Sequence, residues 1–236
     1  MSGFDQHIPK IELLGEDALL VQFGNSIDAD LNIRVHALAL RIESARPAWL
    51  CEIVPSYASL ALFVDLSAFS PTVDAQEEAT TWLQQLIVGE EFAGRLVEGR
   101  LVTVNVRYGG ENGPDLAALA AHAGMSVSEV IERHVAVEYR VAMIGFAPGF
   151  PYLLGLDPAL AMPRLQTPRT RVAAGSVGIG GDQTGIYPRP GPGGWRIIGR
   201  TTQSLFDPQR NPPSLLAAGD RVRFVAADSF GEDVLL

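Results

Sequence analysis

One cysteine, one lysine and four histidines in 236 residues leave this chain few groups for thiol or metal chemistry. Cys51 has no partner for an internal disulfide, and within the apolar stretch Trp49–Val54 it reads as a small buried core residue. The histidines are scattered and give no metal-ligand spacing, so no bound metal or prosthetic group is expected. Basic charge is scarce too: 18 Lys and Arg against 27 Asp and Glu give a net charge of −9. That balance argues against nucleic acid and anionic membranes, which need a broad basic field. No apolar run approaches the roughly 20 residues of a membrane helix, and no basic-then-apolar leader opens the chain. A cytoplasmic protein is the expectation. With 47% apolar and 19% charged residues the chain has the composition of a globular protein with a proper core. Its length suits one large or two modest domains.

What the chain does have is concentrated between Gly145 and Arg200. Half of its Gly and Pro lie in Gly145–Gly199, a density that implies a specific irregular backbone. Two signatures stand out, Gly145-Phe-Ala-Pro-Gly-Phe-Pro-Tyr-Leu153 and the run from Pro168 through Gly175–Gly185 to Pro188, which continues to Gly193-Gly-Trp-Arg196. Seven arginines fall between Tyr139 and Arg200 against Asp157 and Asp182 alone. A basic island in an acidic chain points to a small anion, because the planar guanidinium matches carboxylate and phosphate oxygens.

The preceding residues read as strand–strand–helix, twice. Ile11–Leu14 and Leu19–Phe23 are strand candidates around the turn Gly15-Glu-Asp17. Leu31, Val35, Leu38 and Ile42 follow at helical spacing, with Pro47 beyond the end. Trp49–Val54 and Ser59–Asp65 form a second strand pair, and a second helix begins near Pro71 and carries Leu83, Leu86 and Ile87. An α/β sandwich with helices on one sheet face fits this order. The charged stretch Glu90–Arg100 is the expected boundary, placed between residues 92 and 93. Beyond it, Leu101–Tyr108 alternates as a strand. Helices Asp115–His122 and Ser126–His134 follow, the second opened by a Ser126/Glu129 capping box. The remainder is short apolar runs between turns (Val141–Ile144, Val172–Ala173, Arg196–Ile198, Arg221–Val225), the pattern of a β-barrel or β-roll.

Several motif readings fail on chemistry. Leu116–His134 has the outline of a helix-turn-helix, yet its second helix offers Val127, Ser128, Glu129, Val130, Ile131, Glu132 and Arg133 where base and phosphate contacts need basic or amide groups. It reads as a packed helical hairpin. Gly175–Gly185 is not a P-loop, since no lysine follows its last glycine, and not a dinucleotide fingerprint, since Gln183 stands where glycine is required. Its amides suit close approach to an anion, and its glycines equally suit barrel turns and bulges. Ser176 lacks a nucleophile-elbow context. Two or three of Arg164, Arg169, Arg171, Arg189, Arg196 and Arg200 are expected to converge on an anion, as little acidic charge lies near them in sequence. His134 is a candidate general base or a packed ring.

The residues resemble the family that groups the B subunits of 5-oxoprolinase, the KipI-type kinase inhibitors and allophanate hydrolase subunit 1. The resemblance runs along nearly the whole chain. It is carried by Glu52-Ile-Val-Pro55, Tyr108-Gly-Gly110, Gly113-Pro-Asp-Leu116, Gly145-Phe-Ala-Pro-Gly-Phe150, Pro168-Arg169, Ala174-Gly-Ser176, Ile186-Tyr-Pro188, Pro192-Gly-Gly-Trp195 and Gly199-Arg-Thr201. Two positions depart from the family pattern: Ala173 stands where proline is usual and Gly191 where serine is common.

The resemblance implies an α+β protein, with a small N-terminal ββαββα, ferredoxin-like domain at 1–92 and a cyclophilin-like β-barrel at 93–236. It implies ATP-dependent opening of 5-oxo-L-proline to L-glutamate in a complex with the sister C and A subunits. ATP with Mg is then co-substrate of the complex, and the isolated chain is inactive. On chemical grounds Arg169, Arg171, Arg189 and Arg196, with Ser176, are the expected anion contacts. Gln183 and Tyr187 are the expected hydrogen-bond partners of the lactam, and His134 the proton-transfer group. Two alternatives come with the resemblance: a regulatory protein that binds a sensor histidine kinase, and the non-catalytic half of a biotin-dependent carboxyltransferase.

Overall fold

The computed structural model describes residues 8–88 and 99–227. Its contacts divide the chain into two compact units, Met1–Val97 and Glu98–Leu236. The expected boundary between residues 92 and 93 lies outside the described residues.

The first unit runs β1 (Lys10–Leu13), β2 (Ala18–Gln22), α1 (Ala29–Ser44), β3 (Leu50–Pro55), β4 (Ser59–Val64), a single 3₁₀ turn and α2 (Ala75–Val88). The antiparallel sheet has the order β1-β2-β4-β3. The Asp28 carboxylate caps α1 by accepting from the Leu31 N–H at 2.9 Å. Val35, Leu38 and Ile42, one helical stripe, then bury against Leu19, Val21, Leu60 and Leu62 of the sheet. Helix α2 starts four residues later than the position of Pro71 suggests. Asp74, which accepts from the N–H groups of Gln76 and Glu77, is the effective cap. Cys51 is exposed, contrary to the core reading. It lies on the edge strand β3 directly after the inward-facing Leu50, and strand alternation points its side chain to the opposite face.

The second unit is a closed seven-stranded barrel. Its strands are β5 (Leu101–Tyr108), β6 (Glu138–Ile144), β7 (Pro151–Leu154), β9 (Ser176–Gly180), β10 (Gln183–Ile186), β12 (Arg196–Arg200) and β13 (Arg221–Ala226), in the order β10-β7-β6-β13-β5-β12-β9. β5 and β13 pair in parallel and every other neighbour is antiparallel. A two-stranded ribbon of β8 (Arg169–Val172) and β11 (Gly191–Gly193) stands apart from the barrel ladder. Helices α3 (Leu116–Ala123) and α4 (Val127–Val135) form a hairpin that sends Leu116, Leu119 and Val130 into the barrel core. Gly124, at φ +66°, ends α3. The Ser126/Glu129 capping box is formed in both directions, at 3.2 and 2.7 Å.

The glycine run adopts regular structure that its composition conceals. Gly175–Gly185 contains β9, the turn Gly181-Asp182 and all but the last residue of β10. Most of its amides are taken up by the barrel ladder and its flanking turns, so few remain for an anion. No described helix is long and apolar enough to cross a membrane.

Candidate functional site

The Gly/Pro-rich block builds an aromatic surface with arginines around it. Phe150, Tyr187 and Trp195 form a buried group with Val172 and Ile197, and Tyr152 packs partly buried against them. Phe150 meets Tyr187 at 5.2 Å and Trp195 at 5.5 Å, both edge to face, and Tyr152 meets Trp195 at 5.8 Å. The glycines make this possible. A Cβ on Gly180 would stand 2.6–2.7 Å from three atoms of the Trp195 indole, and one on Gly193 would stand 2.3 Å from the Tyr187 hydroxyl. The two rings therefore lie where side chains would otherwise be.

Phe146 crowns the group. Its ring is 64% exposed and touches Phe150 edge to face at 5.4 Å. Its φ of +62° makes it the one described non-glycine residue in the left-handed region. The Ala147 N–H donates to the Gly145 carbonyl at 2.6 Å, which closes a γ-turn around Phe146. A strained backbone that holds a large apolar ring in solvent is the kind of feature found where a protein contacts a ligand or partner.

The expected anion contacts divide into three groups. Arg169 is engaged internally. Its Nη2 donates to Asp115 Oδ1 at 2.8 Å, and its Nη1 reaches the Trp195 carbonyl at 3.5 Å. Asp115, only 7% exposed, also accepts from the Ile197 N–H at 2.6 Å. Counter-charge for Arg169 thus comes from 54 positions away rather than from its neighbours in sequence. Arg196 is half-buried, with Nε donating to the Pro163 carbonyl at 3.1 Å. Arg171 and Arg189 are exposed, and their side chains make no hydrogen bond or ion pair among the described residues. Arg171 lies in β8 of the β8–β11 ribbon, in which Val172 pairs with Gly191, and Arg189 stands two residues before β11. At Gly191 a Cβ would meet nothing within 4 Å, so serine would fit there.

Ser176 and Gln183 are buried in β9 and β10. Tyr187 is buried too. Burial raises its phenol above the ordinary value, and a hydrogen bond from the Trp195 backbone with the nearby charges of Arg164 and Arg169 opposes that rise.

His134 lies wholly inside the barrel unit, at 0% exposure, with both ring nitrogens occupied. Nδ1 is 2.8 Å from the Tyr108 hydroxyl and Nε2 is 3.2 Å from Thr184 Oγ1. Thr184 donates its own hydroxyl proton to the Gly178 carbonyl at 3.0 Å, so its oxygen is left to accept from Nε2–H. Nδ1 then accepts from Tyr108, and the ring is a neutral Nε2–H tautomer. Burial depresses its pKa to about 3. In this structure neither nitrogen is open to a substrate arriving from solvent.

Two surface hollows lie elsewhere. One, of about 450 Å³, runs along α2 beside Glu77 and Trp82, and one, of about 510 Å³, lies beside Gly109–Asn112. Neither is lined by a residue of the aromatic group, whose outer shelf is formed by the exposed Phe146 and the half-buried Tyr152 over the buried Phe150, Tyr187 and Trp195. Among the described residues no group of three or more His, Cys, Asp or Glu side chains offers a metal site.

Comparison with known proteins agrees with this architecture. The carboxyltransferase domain family, subdomain C and D, matches residues 9–216. The chain belongs to that family. It is 42% identical over 225 residues to the 5-oxoprolinase B subunit of Bacillus subtilis, covering 92% of each chain. It is likewise 42% identical over 213 residues to the protein of the same name from Escherichia coli O157:H7, covering 90% of this chain and 94% of that one. Among solved structures, TTHA0988 superposes with a TM-score of 0.76 at 37% identity, over 91% of this chain and 40% of that longer one. The barrel with its α/β companion is therefore the family's fold.

Proposed function

We propose that this chain is the B subunit of an ATP-dependent 5-oxoprolinase, which opens 5-oxo-L-proline to L-glutamate together with the sister C and A subunits in the cytoplasm. The observation that carries this reading is the 42% identity, spread over nearly the full length of relatives that bear that name. The shelf suits the substrate: the exposed Phe146 and half-buried Tyr152 offer rings to pack a five-membered lactam, with guanidinium groups beside the aromatic group for its carboxylate.

A lactam is a weak electrophile, so the chemistry needs its oxygen phosphorylated by ATP before water adds to the carbon. The C–N bond then breaks as the amine is protonated, and a second water releases phosphate. Fixed cations stabilise the negative charge that gathers during these steps. On this chain the exposed Arg171 and Arg189 supply anion contacts. Arg169 and Arg196 hold the Trp195 loop, Tyr187 is packed within the aromatic group, and Ser176 and Gln183 lie buried in β9 and β10. ATP with Mg is the co-substrate of the complex in this reading, and this chain holds no prosthetic group of its own. The open shelf fits one wall of a site that a sister subunit completes, with the isolated chain inactive.

The test is co-expression with both sister subunits and assay of glutamate release from 5-oxoproline with and without ATP. ATP-dependent release that requires this chain is the expected result, and no turnover by the full complex would refute the proposal. A second reading, a protein that inhibits a sensor histidine kinase, draws on the exposed Phe146. Measurable binding to a kinase dimerisation domain by an inactive complex would favour it.

A further inference from the structure

Arg164 lies on the aromatic shelf itself, and its backbone is held on both sides. Met162 and Gly181 exchange backbone hydrogen bonds at 3.1 and 2.9 Å. The Pro163 carbonyl accepts from Arg196 Nε at 3.1 Å, and the Leu165 N–H donates to the Gly194 carbonyl at 2.7 Å. Those contacts lay the guanidinium over the indole of Trp195, with Cζ 5.6 Å from the ring centroid. The indole in turn cannot move down, because the Gly180 backbone occupies that space. The Arg164 charge is also felt at the Tyr152 and Tyr187 phenols, where it opposes the rise that burial imposes on both. Among the described residues no carboxylate or carbonyl engages the Arg164 side chain, whereas Arg169 is committed to Asp115. A stacked guanidinium keeps its N–H edges in the plane of the fork and loses little freedom when it binds an anion.

The geometry points to Arg164, stacked on the buried Trp195, as the residue that binds the carboxylate of a cyclic amino acid whose ring packs against the half-buried Tyr152 beside it. This rests on the proposed function and deepens it by assigning substrate selectivity to one side chain that is neither buried nor paired. A bidentate charge-assisted contact of this kind discriminates strongly between a lactam with a carboxylate and one without. Lysine would keep the charge and lose the fork.

The experiment uses the full complex, with wild-type chain, Arg164→Lys and Arg164→Gln. The readouts are steady-state kinetics and calorimetric binding of 5-oxoproline without nucleotide, with 2-pyrrolidinone as the neutral lactam. For both variants KM and Kd for 5-oxoproline rise by about 10- to 100-fold while kcat changes by less than about 3-fold. Binding of 2-pyrrolidinone stays as in wild type. Because Arg164 is exposed, the thermal midpoint of the complex is unchanged. An active complex in which both variants match wild type overturns the assignment alone, as does equal weakening for the two lactams. A wild-type complex that neither binds nor opens 5-oxoproline overturns both the assignment and the proposed function.

Discussion

The buried imidazole of His134 makes the barrel's acid stability calculable. In the folded chain its pKa lies at about 3, pressed down by burial, against about 6.5 in the unfolded chain. The unfolded state therefore binds a proton below about pH 6.5 that the folded state refuses until about pH 3. Stability falls as pH drops through that window and not above it. At about 1.4 kcal/mol per pH unit, the loss attributable to this residue is about 2 kcal/mol between pH 7 and pH 5, and about 4 to 5 kcal/mol by pH 3. Protonation would also put a hydrogen on Nδ1, which now accepts from Tyr108, so the hydroxyl must turn away. The perturbation is His134→Leu, which removes the titration and leaves Tyr108 and Thr184 without their partner. Its barrel is weaker than wild type at pH 7 by about 1–3 kcal/mol. The assay is urea unfolding from pH 7 to pH 4, followed by Trp195 fluorescence in a Trp49→Phe/Trp82→Phe background, so that the barrel unit alone is read. The wild-type curve falls more steeply than that of the variant by about 2 kcal/mol between pH 7 and pH 5. Parallel curves, or an NMR titration of the native His134 ring near pH 6.5, would refute the reasoning.

Gly180→Ala places a methyl group against the indole and forces Trp195 out of its edge-to-face contacts. The expected cost is about 1–3 kcal/mol in barrel stability with a changed near-UV circular dichroism band, and an unaltered band counts against it. Asp115→Ala strands the Ile197 N–H and the Arg169 guanidinium, at about 2–3 kcal/mol, while Asp115→Asn, which keeps an acceptor for Ile197, loses less. Equal losses for the two would mean that the Ile197 bond contributes nothing. Cys51 reacts with a disulfide reagent in the native protein without denaturant, and a thiol that labels only on unfolding would contradict its exposed place on β3.

Local patterning is readable in the chain where one rule acts alone. The stripe of Val35, Leu38 and Ile42 announces α1, and Ser126 with Glu129 announces α4, because spacing and capping chemistry depend on neighbours in sequence. The apolar run around Cys51 points the wrong way, because alternation after the buried Leu50 sends the thiol to the outer face of an edge strand, and which residue of the run faces inward is not set by its composition. Strands β9 and β10 are hidden because glycine has no strand propensity, and their place is set by Trp195 packing on the space that absent side chains leave. The arginines are visible as a group, but their roles are not. Asp115 neutralises Arg169 across 54 positions, and only tertiary structure shows that Arg164 lies on Trp195 instead. His134 is legible as chemically capable, and its sealed position depends on Tyr108 and Thr184, which no spacing links to it.

The central claim is that the Trp195 shelf is the substrate wall of a shared site. Its most direct test is the NMR spectrum of the assembled complex with this chain alone labelled at the tryptophan indole nitrogens. Addition of 5-oxoproline should shift the Trp195 resonance in a saturable manner, with a midpoint equal to the calorimetric Kd, and leave Trp49 and Trp82 of the other unit unmoved. A complex that opens 5-oxoproline while the Trp195 signal stays in place would contradict the claim.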